Sequence, residues 1–214
     1  MARRSDHTRE ELKELALTEA AKTARRRGWR AVTARGVARA IGYTPGTLYN
    51  VFKNLDDLLL QMNGRTLDAL YAHVTQAPVS DAPAEALRQL GTRYAAFVAK
   101  HPRLWAAVME FEPKRGSELP AWYRARAVRL VGLGERAIAG YFADGQEEER
   151  QRSAYVLWSA LYGITARNQS TRFTPDDDTA HLLDNFITTY IAGLERLRRA
   201  GRGRTKPKGR AKGA

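Results

Sequence analysis

The chain contains no cysteine, which excludes disulfide staples, thiolate nucleophiles and sulfur-ligated zinc. Histidine is scarce. The four present, His7, His73, His101 and His181, stand at separations that offer no metal-ligand pair. There is no glycine-rich phosphate cradle and no Ser/His/Asp order. Paired acids such as Glu110 and Glu112 lie two apart and cannot face each other on a helix. These absences argue against an enzyme, and neither a metal nor a cofactor is expected. No apolar run approaches the roughly 20 residues that span a bilayer. The first residues, Met1-Ala-Arg-Arg-Ser-Asp-His7, lead into a charged segment rather than the apolar core of a signal peptide. A cytoplasmic protein without a membrane partner is expected. Period-two alternation is missing as well, so the expected fold is all-α.

What the chain does have is positive charge, unevenly placed. Its net charge is +13 over 214 residues. Residues 1–60 carry 12 Lys and Arg against 7 Asp and Glu, whereas residues 61–200 carry 18 against 16. Residues 201–214 hold 6 basic residues and no acid. A balanced centre with basic ends suits a polyanionic partner, because neutralising phosphates releases condensed counterions.

The most informative segment runs from Thr33 to Phe52. It reads as two short helices joined by a sharp turn. Val37, Ile41, Leu48 and Val51 are the apolar positions that would pack the pair, with Ala38 small where the helices cross. Gly42 sits at the turn, where positive φ is required. Thr33 is placed to cap the first helix and Thr44 the second, with Pro45 in its first turn. Pro45, Gly46, Thr47, Tyr49 and Asn50 remain outward, small, polar or aromatic, and suited to base edges and phosphates. Such a pair is a helix-turn-helix whose second helix enters a DNA groove. The expected groove contacts are Thr44, Pro45, Gly46, Thr47 and Asn50, with Asn50 able to bond adenine through two atoms. Thr33, Arg35, Tyr49 and Lys53 are expected on the backbone, although the Tyr49 ring could instead be half core. Arg25, Arg26 and Arg27 read more simply as a solvated helix end favoured by the helix dipole.

The residues Val37-Ala38, Gly42, Thr44, Gly46-Thr47-Leu48-Tyr49 and Phe52, followed by Asp56-Asp57-Leu58, resemble the N-terminal domain of the TetR family of bacterial regulators. The resemblance runs from about Thr8 to Leu60 and includes Gly28-Trp29 and Thr33. It implies an operator-binding dimer with a helical C-terminal domain that takes a small molecule. Two departures stand out. Leu55 occupies the position where the family places a phosphate-reaching lysine, for which Lys53 could substitute from another geometry. Thr23 and Ala24 replace bulkier apolar residues late in the first helix, and Trp29 is expected to fill that volume.

The rest of the chain divides into further helices, about nine in all. The first spans Thr8 to Arg27 and ends at Gly28. Leu55, Leu59, Met62, Thr66 and Leu70 trace a fourth, reaching Gln76 before a linker from Pro78 to Pro83. Leu87, Leu90, Tyr94, Phe97 and Val98 mark a fifth, and Pro102 opens a sixth. A seventh covers Ala121 to Phe142. An eighth follows the acidic turn 144–149 and carries Tyr155, Trp158, Leu161, Tyr162 and Thr165. The last spans Asp176 to Arg199. The expected division is a DNA-binding domain over 1–54, an effector-binding and dimerisation domain over 55–200, and a disordered basic tail over 201–214. Within the tail, Arg202-Gly203-Arg204 is similar to the core of an AT-hook, without its flanking prolines.

The last helix has two adjacent apolar positions per turn, Leu182 with Leu183, Phe186 with Ile187, and Tyr190 with Ile191. That stripe is wider than one buried face needs. One side can serve the core and the other a partner subunit, as a palindromic operator requires. The family resemblance implies dimerisation through the last two helices. Tyr94, Phe97, Trp105, Met109, Trp122, Tyr123, Trp158 and Tyr162 are the candidate ligand-binding residues, although aromatics at helical spacing are more often core. Segments 101–109 and 158–164 resemble the Trp-His-Gly subtype of the family's C-terminal domain, with Tyr162 in place of the histidine.

These readings converge on a homodimeric transcription regulator, a repressor released from a palindromic operator by a small, largely apolar effector. The competing readings are a non-specific architectural DNA binder acting through its basic ends, and a regulator or activator without an effector.

Overall fold

A computed structural model of the protein describes residues 7–113, 118–166 and 179–204. Every regular element among them is helical, and no strand occurs. The order is α1 (Arg9–Arg27), a 3-10 turn (Trp29–Ala31), α2 (Ala34–Ala40), α3 (Pro45–Leu48), α4 (Leu55–Thr75), α5 (Pro83–Lys100), α6 (Pro102–Glu110), α7 (Ala121–Ile138), a 3-10 turn (Ala139–Tyr141), α8 (Glu147–Ala166) and α9 (Thr179–Arg204). No described helix is long and apolar enough to cross a membrane.

Contacts divide the chain into two compact units, residues 1–74 with 96–130, and residues 75–95 with 131–214. In packing terms, α4 therefore belongs with α1 to α3, whatever functional role its far end takes.

The first unit is built on α1. Thr8 and Glu11 form a reciprocal capping box: Thr8 N donates to Glu11 Oε2 at 2.7 Å and Glu11 N to Thr8 Oγ1 at 3.2 Å. Those bonds to the ionised form lower the Glu11 carboxyl below its ordinary value. Ala16, Ala20 and Ala24 are fully buried beside Leu12 and Leu17, and their small side chains let neighbouring helices approach closely. One core joins this face to Val37 and Ala38 of α2, Leu48 and Phe52, Leu58, Leu59 and Met62 of α4, and Leu104 and Ala107 of α6. Trp29 packs on the same core, edge-on to Phe111.

Helix α4 buries more than the expected stripe. Asn63 and Gly64 are buried with Leu58, Leu60 and Leu67, because α6 and α7 cover a second side of the helix. Asn63 Nδ2 donates to the Ala107 carbonyl of α6 at 2.8 Å. A Cβ on Gly64 would stand 2.9 Å from Trp122 on α7.

In the second unit, Leu87, Leu90 and Tyr94 of α5 are buried, as are Leu157 and Leu161 of α8 and Leu183, Ile187, Ile191 and Leu194 of α9. Gly91 permits this closeness, since a Cβ there would lie 2.7 Å from Ile187 Cδ1. Arg88 pairs with Asp184 at 2.8 Å, and Tyr190 donates to the Ser153 carbonyl at 2.8 Å.

Several boundaries differ from the sequence reading. Helix α7 stops at Ile138 and tightens into a 3-10 turn instead of continuing to Phe142. On α8 the buried line is Ala154, Leu157, Leu161 and Thr165, which leaves Tyr155 facing outward. Helix α9 continues to Arg204, so the Arg202-Gly203-Arg204 backbone is helical, not disordered. Extending an existing helix is cheap where starting one is costly. The rest of the basic tail, from residue 205, and the expected start of the last helix at Asp176 lie outside the described residues.

Candidate nucleic-acid interface

The turn between α2 and α3 is fixed by backbone bonds. Tyr43 N donates to the Ala38 carbonyl at 2.8 Å and Gly42 N to the Arg39 carbonyl at 3.3 Å. This is the six-to-one and five-to-two pattern of a Schellman cap, in which the residue at Gly42 is left-handed. Gly42 has φ +80°, and no atom lies within 4 Å of a Cβ placed on it. Substitution there costs conformation alone. Gly42→Ala is expected to lower stability by about 1–2 kcal/mol, and Gly42→Asn by less, since asparagine tolerates this region. Urea titrations would show it as ordered midpoints, with identical midpoints contradicting the turn geometry.

Helix α2 starts as expected, with Thr33 Oγ1 accepting from Gly36 N at 3.1 Å. The start of α3 does not. Thr44 holds the cap position, but its hydroxyl lies 3.0 Å from Thr47 Oγ1 and makes no side-chain cap bond. Pro45 already removes one orphan donor there, and Thr47 offers a competing partner. Only Pro45–Leu48 is α-helical. Asn50 N then bonds Thr47 O at 3.2 Å and Val51 N bonds Leu48 O at 2.9 Å, a tighter i to i+3 winding. Gly46, Thr47, Tyr49, Asn50 and Val51 are weak helix formers, so tertiary contacts hold the segment.

Those contacts set the outward face. Leu48 and Phe52 are buried at 1% and 2% exposure, pinning one side to the core. Gly46, Tyr49, Asn50 and Lys53 are exposed on the other, with Pro45 and Thr47 half-buried between. Tyr49 is 52% exposed, which places its ring at the surface and not in the core. Thr33, Arg35 and Thr44 are exposed as well. Every residue expected to touch DNA thus lies on one short stretch of chain around the turn.

Two contributors carry no strong sequence signal. Asn54 Oδ1 accepts from Asp57 N at 2.8 Å, and Asp57 Oδ2 accepts from Lys53 N at 2.9 Å. This reciprocal cap starts α4 and fixes the backbone that carries Lys53. Its one cue is Asn54 followed three residues later by an acid. His7 Nδ1 lies 2.8 Å from Tyr43 Oη, tying the segment before α1 to the turn. Across 36 residues of chain no local cue exists.

The eight aromatic and methionine candidates are divided between the two units. Tyr94, Trp158 and Tyr162 belong to the second unit. There the Tyr94 and Trp158 rings meet edge-on at 5.6 Å, and the Tyr94 hydroxyl lies 3.4 Å from Thr165 Oγ1. Thr165 also donates to the Tyr162 carbonyl at 3.1 Å. Phe97, Trp105, Met109, Trp122 and Tyr123 belong to the first unit. Met109 and Trp122 are exposed, whereas burial pushes the Tyr123 hydroxyl up to about 12. Among the described residues, no cluster could hold a metal ion.

An all-helical chain that presents a capped helix-turn-helix with a polar outer face is a DNA-binding transcription regulator. Residues 16–62 match the model of bacterial regulatory proteins of the tetR family, and residues 87–190 match a tetracyclin repressor-like C-terminal domain. The chain belongs to the TetR family. No curated protein matches it. Among solved structures, a protein of unknown function from Rhodococcus sp. RHA1 is similar with a TM-score of 0.73 at 18% identity, over 91% of this chain and 100% of that one. AibR in complex with isovaleryl coenzyme A and operator DNA gives 0.54 at 16% identity, over 85% and 96%. FadR from Bacillus subtilis in complex with stearoyl-CoA gives 0.59 at 13% identity, over 84% and 98%. At these identities the likeness is one of fold.

Proposed function

We propose that the protein is a homodimeric cytoplasmic repressor that leaves a palindromic operator when a small, largely apolar effector binds. The observation that carries this reading is the two-sided α3 segment: Leu48 and Phe52 are sealed in the core while Gly46, Tyr49 and Asn50 face outward. Asn50 and Thr47 read bases, Pro45, Gly46 and Thr44 let the backbone approach the groove, and Thr33, Arg35, Tyr49 and Lys53 hold phosphates.

The dimer is assigned to α8 and α9. Tyr155 and Val156 are 51% and 56% exposed on α8, and Leu197 is 62% exposed on α9. Phe186 and Tyr190 stack at 5.4 Å and are only half-buried. Apolar surface of this kind is better covered by a second copy than left in water. The functional division follows: residues 1–54 bind DNA, and residues 55–200 bind the effector and the partner copy. Tyr94, Trp158 and Tyr162, with Phe97, Trp105, Met109, Trp122 and Tyr123, are the effector candidates. Two proteins of similar fold carry acyl-CoA molecules in their structures, which supports an effector with an apolar body. Binding it shifts the population toward dimers whose recognition segments are wrongly spaced, by a coupling of roughly 1–3 kcal/mol.

DNA selected from a random pool supplies the test. Asn50→Ala and Thr47→Ala are each expected to weaken binding to the selected sequence by roughly 1–3 kcal/mol for every base no longer bonded, with thermal unfolding unchanged. Wild-type affinity in both variants would refute the assignment of these residues to the groove. Equal affinity for selected and random DNA would indicate an architectural protein. A monomer by sedimentation at the concentration that binds DNA would remove the dimer.

A further inference from the structure

A cavity of about 280 Å³ opens between α1, α4, α5 and α6 within the first unit. Its floor is apolar apart from the Thr66 hydroxyl, which is turned to the Met62 carbonyl: Leu17, Met62, Thr66, Phe97 and Leu104 line it, each no more than 5% exposed. Its rim is basic, with Arg25, Arg65 and His101. Arg65 is neutralised by an ion pair with Glu14. Arg25 has no ion-pair partner among the described residues, and its carbonyl, not its guanidinium, is engaged by Arg103. The His101 ring packs at a tilt against Phe97, with a centroid distance of 4.8 Å. Burial lowers its pKa, and the positive charges of Arg25, Lys100 and His73 lower it further, with no carboxylate among the described residues opposing them. The mouth of an apolar pocket thus carries one guanidinium, that of Arg25, with no ion pair among the described residues, beside an imidazole whose proton is disfavoured by neighbouring positive charge, and a bound anion would relieve both.

We propose that this cavity binds a small monocarboxylic acid, its apolar body against Met62 and Leu104 and its carboxylate between Arg25 and His101. The volume admits about ten heavy atoms, the size of a medium-chain or simple aromatic acid and far below a coenzyme A ester. The site is distinct from the Tyr94–Trp158 cluster of the second unit. The inference rests on the regulator reading only for its consequence at DNA. An acid wedged between α1 and α4 loads the helix that packs directly on α2 and α3.

Three methionines make the test direct. Met62 is 1% exposed in the cavity wall and Met109 is 41% exposed on α6. The full-length protein, labelled with carbon-13 at its methionine methyls, is titrated with sodium octanoate and, separately, with 1-octanol. Octanoate is expected to shift the Met62 signal saturably, with a Kd of about 1 mM or tighter, leaving Met109 and Met1 unmoved. Octanol should bind at least about fivefold more weakly, because charge is what the rim selects. Arg25→Gln, at an exposed position, should weaken octanoate about fivefold or more and leave octanol unchanged. The proposal is overturned by a static Met62 signal up to about 10 mM octanoate, by equal affinity for octanol, or by all three methionines moving together as in surfactant binding. DNA selection on the ligand-free protein is read independently. A responsive Met62 with no selected sequence sinks the regulator and keeps the site, whereas selection with a static Met62 does the reverse.

Discussion

Phe52→Ala is expected to destabilise the first unit by about 3–5 kcal/mol. The ring is 2% exposed in the core shared by α1, α2, α4 and α6. Its removal leaves a cavity that the surrounding helices can only partly fill. Against a typical total of roughly 5–15 kcal/mol, that loss is large. It falls on the recognition segment in particular. Helix α3 holds one turn of α-helix, far too little to stand unsupported. Phe52 N bonds the Leu48 carbonyl at 2.9 Å, so the two side chains anchor that turn as a unit. DNA affinity should therefore fall further than in Asn50→Ala, although Phe52 reaches no base. Circular dichroism in urea and an electrophoretic titration check both parts. A stability loss below about 1 kcal/mol would show that the ring is not a core residue.

Asn63→Asp is expected to cost a similar amount at neutral pH, by a different route. The Asn63 amide donates to Ala107 O, and its Oδ1 is buried without a hydrogen-bond partner. A carboxylate there would set an anion against a carbonyl oxygen in an apolar core. Burial raises the folded-state pKa of that carboxyl above its unfolded value of about 3.9. The unfolded state then releases its proton first, so the penalty grows as pH rises from about 4 through the folded pKa. On acidification the protonated acid can donate to Ala107 O again and stability returns. Asn63→Leu should cost less, because Ala107 O also accepts from Phe111 N at 3.2 Å and keeps a partner. Unfolding midpoints at several pH values, each relative to wild type, decide the matter. A penalty for aspartate that does not change with pH would contradict the buried assignment.

The helix-turn-helix is legible in the sequence because its cues are local. Gly42, Thr33 and Pro45 act within five residues of their partners, and Val37, Ala38 and Leu48 repeat at helical spacing. The outward face follows once the buried one is known. The cap expected of Thr44 does not form because Thr47 competes for its hydroxyl. Tyr155 turns outward on α8 because Ala154 and Leu157, one step around the helix, are equally compatible with a buried line and take it. The aromatic candidates share a residue type and a helical spacing, yet packing sends them to two different units.

Sequence alone determined the helical class, the turn with its left-handed glycine, and which residues of the α3 segment face outward, because each depends on φ preference, capping or a period of 3.6. Tertiary structure decided how Asn63 and Gly64 on α4 meet α6 and α7, how Arg25 and His101 come to share a cavity mouth, and how far α3 remains helical. Those outcomes depend on contacts between residues tens of positions apart, where chain closure, close packing and desolvation select among arrangements that local propensity leaves equal.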